Sequence, residues 1–104
     1  MSKHNSSELN QLDAATRVLV RFHWHISQVG DVWATLITTP EELADSYGQH
    51  VRFGDILGDH SEVEGVLKAS DFTFVTADEA FIAKYEEYLG KSEGHDPLAK
   101  LRGY

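Results

Sequence analysis

The sequence predicts an α+β protein with a mainly antiparallel sheet of four to five strands and two helices packed on one of its faces. Two observations support this prediction. Apolar and polar residues alternate over residues 17–28, as they do in a strand. Two helix-starting patterns, Thr-Pro-Glu-Glu at 39–42 and Thr-Ala-Asp-Glu at 76–79, stand among further strand-like runs. For this order of strands and helices, a mainly antiparallel sheet is the economical architecture.

Length and composition indicate one domain. A chain of 104 residues that is 41% hydrophobic and 25% charged is large enough for one core. We therefore expect a single domain over residues 1–104, with residues 1–7 flexible because they are polar. A short helix beginning near residue 8, with Leu9 and Leu12 on one side, is expected before the first strand.

The first two strands are expected at about 17–28 and 32–38, joined by a two-residue turn at Gly30-Asp31. That turn fixes a register in which Trp24 lies opposite Ile37, so the large apolar side chains share one face. The second face of the sheet is then partly open. Its residues are expected to be Arg21, His23, His25, Ala34 and Leu36.

The first well-marked helix is expected at about 40–47. Thr39 is a preferred N-cap residue, Pro40 suits the first helical position, and Glu42 completes a capping box. Leu43 and Tyr47 are four residues apart and should lie on the buried side. Gly48 is expected to end the helix in a left-handed conformation.

Further strands are expected at about 50–57, 62–68 and 70–75. The second helix should follow Thr76 as its N-cap and end at Gly90, and Asp96-Pro97 should begin a short turn. The residues expected on the buried side of that helix are Phe81, Ile82, Tyr85, Tyr88 and Leu89. The residues expected to return the terminal turn to the core are Leu98 and Leu101.

The negative charge is concentrated in the middle of the chain. Of the net charge of −8, residues 39–67 contribute −6, because they hold seven acids and only Arg52 as a base. Such a surface repels a phosphate backbone and attracts a basic one. We therefore expect no nucleic-acid partner and a basic protein surface as partner. The alternative is that the charge serves only to keep a small domain soluble.

The residue types and segments that the sequence lacks indicate where in the cell the protein is expected. There is no cysteine, so disulfides, thiolate metal sites and cysteine nucleophiles are excluded. No apolar run approaches the length of a membrane span, and the first residues do not resemble a secretory signal. We expect a cytoplasmic protein without a membrane partner, as a monomer or a homodimer.

The most polar segment is 54–65, G-D-I-L-G-D-H-S-E-V-E-G, which holds four carboxylates and no lysine or arginine. A hairpin connection explains its glycines and Asp59, because turns favour these residue types. It explains less well the clustering of His60, Glu62 and Glu64. We therefore predict that Asp59, His60, Glu62 and Glu64 bind a partner.

A metal or small-ligand site is the alternative function. His23 and His25 are two apart in a strand, so both imidazoles project from one face and suit a divalent ion such as zinc. His60 is expected as the third ligand, with Glu62 or His50 as further options. Two other readings stay open: that both histidines are ordinary half-exposed sheet residues, or that they form a pH-sensitive patch.

A hydrolytic site is disfavoured. The run Asp59 to Glu62 contains a base, a hydroxyl and carboxylates, but catalytic triads are assembled from distant segments because neighbouring side chains diverge. No G-x-S-x-G turn is present. The leading hypothesis is therefore a protein-binding, accessory or inhibitor module with no implied reaction.

One resemblance bears on the polar segment. The run F-G-D-I-L-G-D-H-S-E-V-E-G-V-L at 53–67, an acid-starting helix near 76–89 and G-H-D-P-L near the end resemble a family of small uncharacterised phage-encoded and bacterial proteins. That family has a G-x-x-x-G-x-H-S-E-V core and a later G-x-x-P-L. The resemblance implies that the segment matters, but implies no activity. Asp59 stands where the family pattern has a lysine, so no role that needs a positive charge there is carried over.

Overall fold

A computed structural model describes residues 12–58 and 62–101. Its elements in chain order are β1 (Val18–Ile26), β2 (Gly30–Thr38), α1 (Pro40–Ser46), β3 (His50–Gly54), β4 (Val63–Val66), a 3₁₀ turn (Ala69–Asp71), β5 (Phe72–Thr76), α2 (Glu79–Leu89), β6 (Ser92–Gly94) and α3 (Pro97–Leu101). The main sheet has the strand order β5-β1-β2-β6, and β3 and β4 form a separate two-stranded hairpin. Every strand pairing is antiparallel, so the predicted α+β class is confirmed.

The turn between β1 and β2 differs from the prediction. The loop is Ser27 to Val29 rather than Gly30-Asp31, and Gln28 adopts a positive φ of 65°. Trp24 therefore pairs with Val32 rather than with Ile37. Because side chains alternate between the two faces, this shift inverts which residues of β2 are buried.

The observed register buries an entirely aliphatic run. The β2 residues that lie within the core are Val32, Ala34 and Leu36. The predicted register would instead have turned Trp33 and Thr35 inward, and with Thr35 a hydroxyl that needs a hydrogen-bond partner. The expectation that Ala34 and Leu36 lie on the open face was therefore wrong.

The core lies between one face of the main sheet and a second layer made of α1, α3 and the β3–β4 hairpin. On the sheet side it includes Val20, Phe22 and Phe74, and the second layer adds Leu43 and Leu98. α1 and α3 of this layer pack on the same face, whereas α2, the second of the two predicted helices, packs on the opposite face of the sheet. The terminal turn returns to the core as expected, since Leu98 is buried in the core and Leu101 packs against it. Asp96 Oδ1 caps α3 by accepting hydrogen bonds from its first backbone N–H groups.

The β3–β4 hairpin packs its apolar side against Trp24. The ring of Phe53 lies 5.7 Å from that of Trp24, with the planes nearly perpendicular. A Cβ on Gly65 would lie only 3.2 Å from the Trp24 ring, so this glycine permits close approach as well as serving the hairpin. β3 ends at Gly54 rather than near residue 57, where Gly54 has a φ of +80°. The main sheet therefore has four strands, and the hairpin lies across one of its faces.

Helix α2 covers part of the opposite face of the main sheet. Arg17, just before β1, forms ion pairs with Glu79 and Glu86, and Tyr85 donates a hydrogen bond to Glu93 of β6. Ile82 is fully buried beneath it. The other predicted stripe residues are largely in solvent: Phe81, Tyr88 and Leu89 are 48–72% exposed. The broad buried stripe expected for this helix was wrong.

The helix caps are partly as predicted. Thr39 Oγ1 accepts the N–H of Glu42, so the N-cap of α1 is confirmed. Gly90 directly follows α2 with a positive φ, as expected of a stop. Gly48 also has a positive φ, but α1 already ends at Ser46 with Tyr47 as an extended C-cap, one residue before Gly48. The cap of α2 is Asp78 rather than Thr76, and Thr76 accepts the N–H of Asp78 instead.

Strand β6 was not expected from the sequence. Its three residues carry no apolar alternation, and they are held by pairing with Ala34, Thr35 and Leu36 of β2. Gly94 has a φ of +82°, and a Cβ there would collide with the backbone of Trp33. The helix expected near residue 8 lies mostly outside the described residues.

Candidate functional site

His23 and His25 project from the face of the main sheet that is opposite to the core, as predicted. His23 Nε2 and His25 Nδ1 both lie 3.0 Å from Asp31 Oδ1. An ionised carboxylate only accepts hydrogen bonds, so His23 Nε2 and His25 Nδ1 are the protonated ring nitrogens, and each donates a hydrogen bond to this oxygen. Their neighbours are Asp31 and Trp33 rather than Ala34 and Leu36.

The two imidazoles stabilise the ionised form of Asp31. The hydrogen bond from His25, and then that from His23, lower the pKa of Asp31 below its usual value. All three side chains are more than half exposed. The cluster is therefore a solvent-facing hydrogen-bonded group.

A cleft of about 300 Å³ opens on the same face, beside the His23–Trp33 pair and therefore two residues along β2 from Asp31. The side chains that line it are Arg21, His23, Trp33 and Thr73, with Phe22 and Ala34 at its base. This volume is at the lower end of the range for small-molecule sites. Trp33 is 53% exposed, which is unusual for so large an apolar side chain.

Cross-strand geometry brings the cleft residues together. His23 lies directly opposite Trp33, and Arg21 lies opposite Thr73 on its other side. Arg21 and Trp33 are therefore diagonal neighbours, which in a sheet lie about 7–8 Å apart and within reach of long side chains. Sequence reasoning placed Trp33 in the core through the wrong turn, and only the register places it beside Arg21.

Arg21 differs from the other arginines that the structure describes. Arg17 is paired with Glu79 and Glu86, and Arg52 is paired with Glu62. Within residues 12–58 and 62–101, Arg21 has no carboxylate within ion-pair distance. Among the described residues of a chain of net charge −8, Arg21 is therefore a guanidinium without a carboxylate partner, and it lines the same cleft as the exposed indole of Trp33.

Glu62 and Glu64 lie on the outer side of the β3–β4 hairpin, each beside a base. Arg52 Nε donates to Glu62 Oε2 at 2.8 Å, and His50 Nε2 lies 2.8 Å from Glu64 Oε1. His50 and Glu62 are therefore on the other side of the molecule from His23 and His25. Asp59, His60 and Ser61 lie outside the described residues.

The described acids outside these pairs include Glu41 and Asp45 of α1, both exposed. Beside them is a groove between α1 and α3 with a volume of about 210 Å³. The residues lining the groove are Glu42, Asp45, Ser46, Gln49, Leu98 and Leu101. It combines carboxylates on one wall with leucine side chains on the other.

The described part of the chain contains no group of three or more His, Asp or Glu side chains arranged to hold a metal ion. At the histidine cluster, His23 Nε2 and His25 Nδ1 are both engaged with Asp31 Oδ1. A zinc ion would have to displace the protons that these nitrogens now donate.

No protein-family model matches the chain, and neither a curated protein nor a solved structure is significantly similar to it. Among the described residues, no helix has the length and apolar content that crossing a membrane would require.

Proposed function

We propose that this chain is a protein-binding module that recognises a basic segment of a partner protein. The binding region is the acidic surface formed by α1 and the β3–β4 hairpin, with Glu41, Glu42, Asp45, Glu62 and Glu64 as its described acids. Asp59 and His60 belong to the same stretch of sequence. The observation that carries the proposal is the groove between α1 and α3, where acids and leucines line one cavity.

Charge complementarity argues for a basic occupant of this groove. The carboxylates of Glu42 and Asp45 would attract lysine or arginine side chains, while Leu98 and Leu101 would contact the apolar part of the same segment. Such electrostatic complementarity mainly accelerates association and sets specificity. Gln49 belongs to the groove and directly precedes β3, so the groove adjoins the hairpin that carries Glu62 and Glu64.

The test compares two single charge reversals of exposed acids. Asp45→Lys changes the groove, whereas Glu87→Lys changes an acid on α2 whose only described partner is Lys84 at 3.7 Å. We expect Asp45→Lys to slow association with a purified partner, identified by affinity capture, about tenfold or more at low salt. The effect should shrink as salt is raised, because exposed charges are screened.

A combined reversal tests the predicted residues themselves. Asp59→Lys, Glu62→Lys and Glu64→Lys together should weaken association in the same salt-dependent way. Thermal unfolding must accompany it, since reversing Glu62 also disrupts its pair with Arg52. Binding that is unchanged in both the groove variant and the hairpin variant would refute the proposal.

The second candidate is a metal site on the open sheet face, favoured by the convergence of His23 and His25 on Asp31. Zinc with His60 as a further ligand would require both rings to turn from the Asp31 oxygen. Added zinc should then raise the melting temperature of the wild type and not that of His25→Ala. An equal shift in both proteins, or none in either, excludes this candidate.

A further inference from the structure

We infer that the cleft bounded by Arg21, His23, Trp33 and Thr73 binds a small molecule that carries a planar aromatic ring and an anionic group. The inference does not depend on the proposed protein-binding function, because the cleft and the acidic surface lie on opposite faces of the main sheet. It also requires no metal.

The anionic group is assigned from Arg21. The other two described arginines each have a carboxylate partner, and Arg21 has none within residues 12–58 and 62–101. A guanidinium binds carboxylate or phosphate oxygens through parallel hydrogen bonds. The hydroxyl of Thr73, directly across the strand pair, can donate a further one.

The aromatic ring is assigned from Trp33. Its indole is 53% exposed and lines the cleft, so a planar ring can stack against it and remove apolar surface from water. The diagonal spacing of about 7–8 Å between Arg21 and Trp33 suits a ligand whose anionic group is attached to its aromatic ring directly or through a short linker.

The described carboxylates on this face include Glu93, which accepts a hydrogen bond from Tyr85, and Glu79 and Glu86 of α2, which pair with Arg17. Asp31 lies beyond His23 and accepts hydrogen bonds from both imidazoles, so it is held away from Arg21 by the His23–Trp33 pair. An anion in the cleft is therefore in reach of the Arg21 guanidinium, whereas Asp31 is not among the residues that line the cleft. This arrangement permits an anion site in a chain that is acidic as a whole.

The test is an NMR titration in the presence of EDTA, which follows the side-chain N–H signals of the two tryptophans. Adenosine monophosphate and 2-naphthoate are the probes, representing a phosphate and a carboxylate source. Adenosine supplies a ring without the anion, and inorganic phosphate supplies the anion without a ring. We expect saturable shifts of the Trp33 signal with at least one probe, and much smaller shifts with adenosine or phosphate alone.

Variants assign the effect to the cleft. Arg21→Gln should weaken probe binding about tenfold or more, the usual size for losing a charged hydrogen-bond pair. Trp33→Leu should weaken it as well, measured from the backbone amide signals of Arg21 and Thr73 because the variant lacks the Trp33 signal. Arg52→Gln, which removes an exposed arginine elsewhere, should not weaken it. Asp45→Lys should also leave it unchanged, which separates this inference from the protein-binding proposal.

Several results would overturn the inference. These are the absence of a saturable shift with both probes at millimolar concentration, equal binding of inorganic phosphate alone, or equal losses in Arg21→Gln and Arg52→Gln. Both tested arginines are exposed, so these variants should fold, and the melting temperature of each checks this.

Discussion

Strand β6 is predicted to depend on one glycine, Gly94. Gly90 and Gly94 share a φ of +82°, but a Cβ on Gly90 would meet nothing within 4 Å. A Cβ on Gly94 would collide with the carbonyl oxygen of Trp33 and lie 3.0 Å from the Ala34 Cα. The two glycines therefore share a φ that L side chains rarely adopt, and only Gly94 adds a backbone collision.

The magnitude follows from these two contributions. An alanine at this φ costs about 1–2 kcal/mol in backbone strain alone. With alanine at position 94, β6 must also move away from β2. This weakens hydrogen bonds between them, such as that from His95 N to Trp33 O at 2.9 Å. Losing about two hydrogen bonds at about 1 kcal/mol each brings the cost of Gly94→Ala to roughly 3–4 kcal/mol.

Urea denaturation of Gly90→Ala and Gly94→Ala at room temperature measures this difference. We expect Gly94→Ala to lose about 2 kcal/mol more of unfolding free energy than Gly90→Ala. Gly94→Ala should also perturb the Trp33 side-chain signal, because the collision is with that residue. Equal losses in the two variants would refute the reasoning, since they would show that β6 moves without cost.

Three further predictions concern single contacts. Thr39→Ala removes the oxygen that caps α1 and should cost about 1 kcal/mol in urea denaturation, and a loss near zero would contradict the cap. Asp31 has a lowered pKa in the folded protein, so its charge stabilises the fold above its unfolded pKa, and this contribution is lost as pH falls through the folded value. The stability difference between the wild type and Asp31→Asn should therefore shrink on acidification below about pH 4, and a constant difference would contradict it. Burial, and then the hydrogen bond to Glu93, raise the pKa of Tyr85 to about 12. Its stabilising contribution is full below about pH 10 and is lost between pH 10 and 12, so an ultraviolet titration should lose its latest-titrating tyrosine in Tyr85→Phe, and an unchanged late transition would contradict this.

Local chemistry was a good guide wherever the determining interaction is itself local. The cap at Thr39, the stop at Gly90 and the turn at Asp96 depend on residues within a few positions of one another, and all three were predicted. The cap of α2 was placed two residues early, because Thr76 and Asp78 are both suitable caps and the sequence does not rank them. The strand β6 had no local signal, since pairing with β2 alone makes it a strand.

The candidate sites likewise combine features that local sequence predicted with features that depend on distant pairing. The shared face of His23 and His25 followed from strand periodicity, and so did its openness. The presence of Asp31 and Trp33 on that face did not, because it depends on the number of residues in one loop. A three-residue loop with Gln28 in the left-handed region replaced the expected two-residue turn and inverted the faces of β2.

The sequence by itself therefore determined the α+β class, the position of most elements and the concentration of acid in the middle third, because periodicity, capping and composition are properties of neighbouring residues. Only the tertiary structure decided which residues meet across strands and layers. It paired Glu62 and Glu64 with bases, opened a groove beside Asp45, and left Arg21 beside an exposed Trp33. Each of these depends on the register and packing of distant segments, which no local pattern encodes.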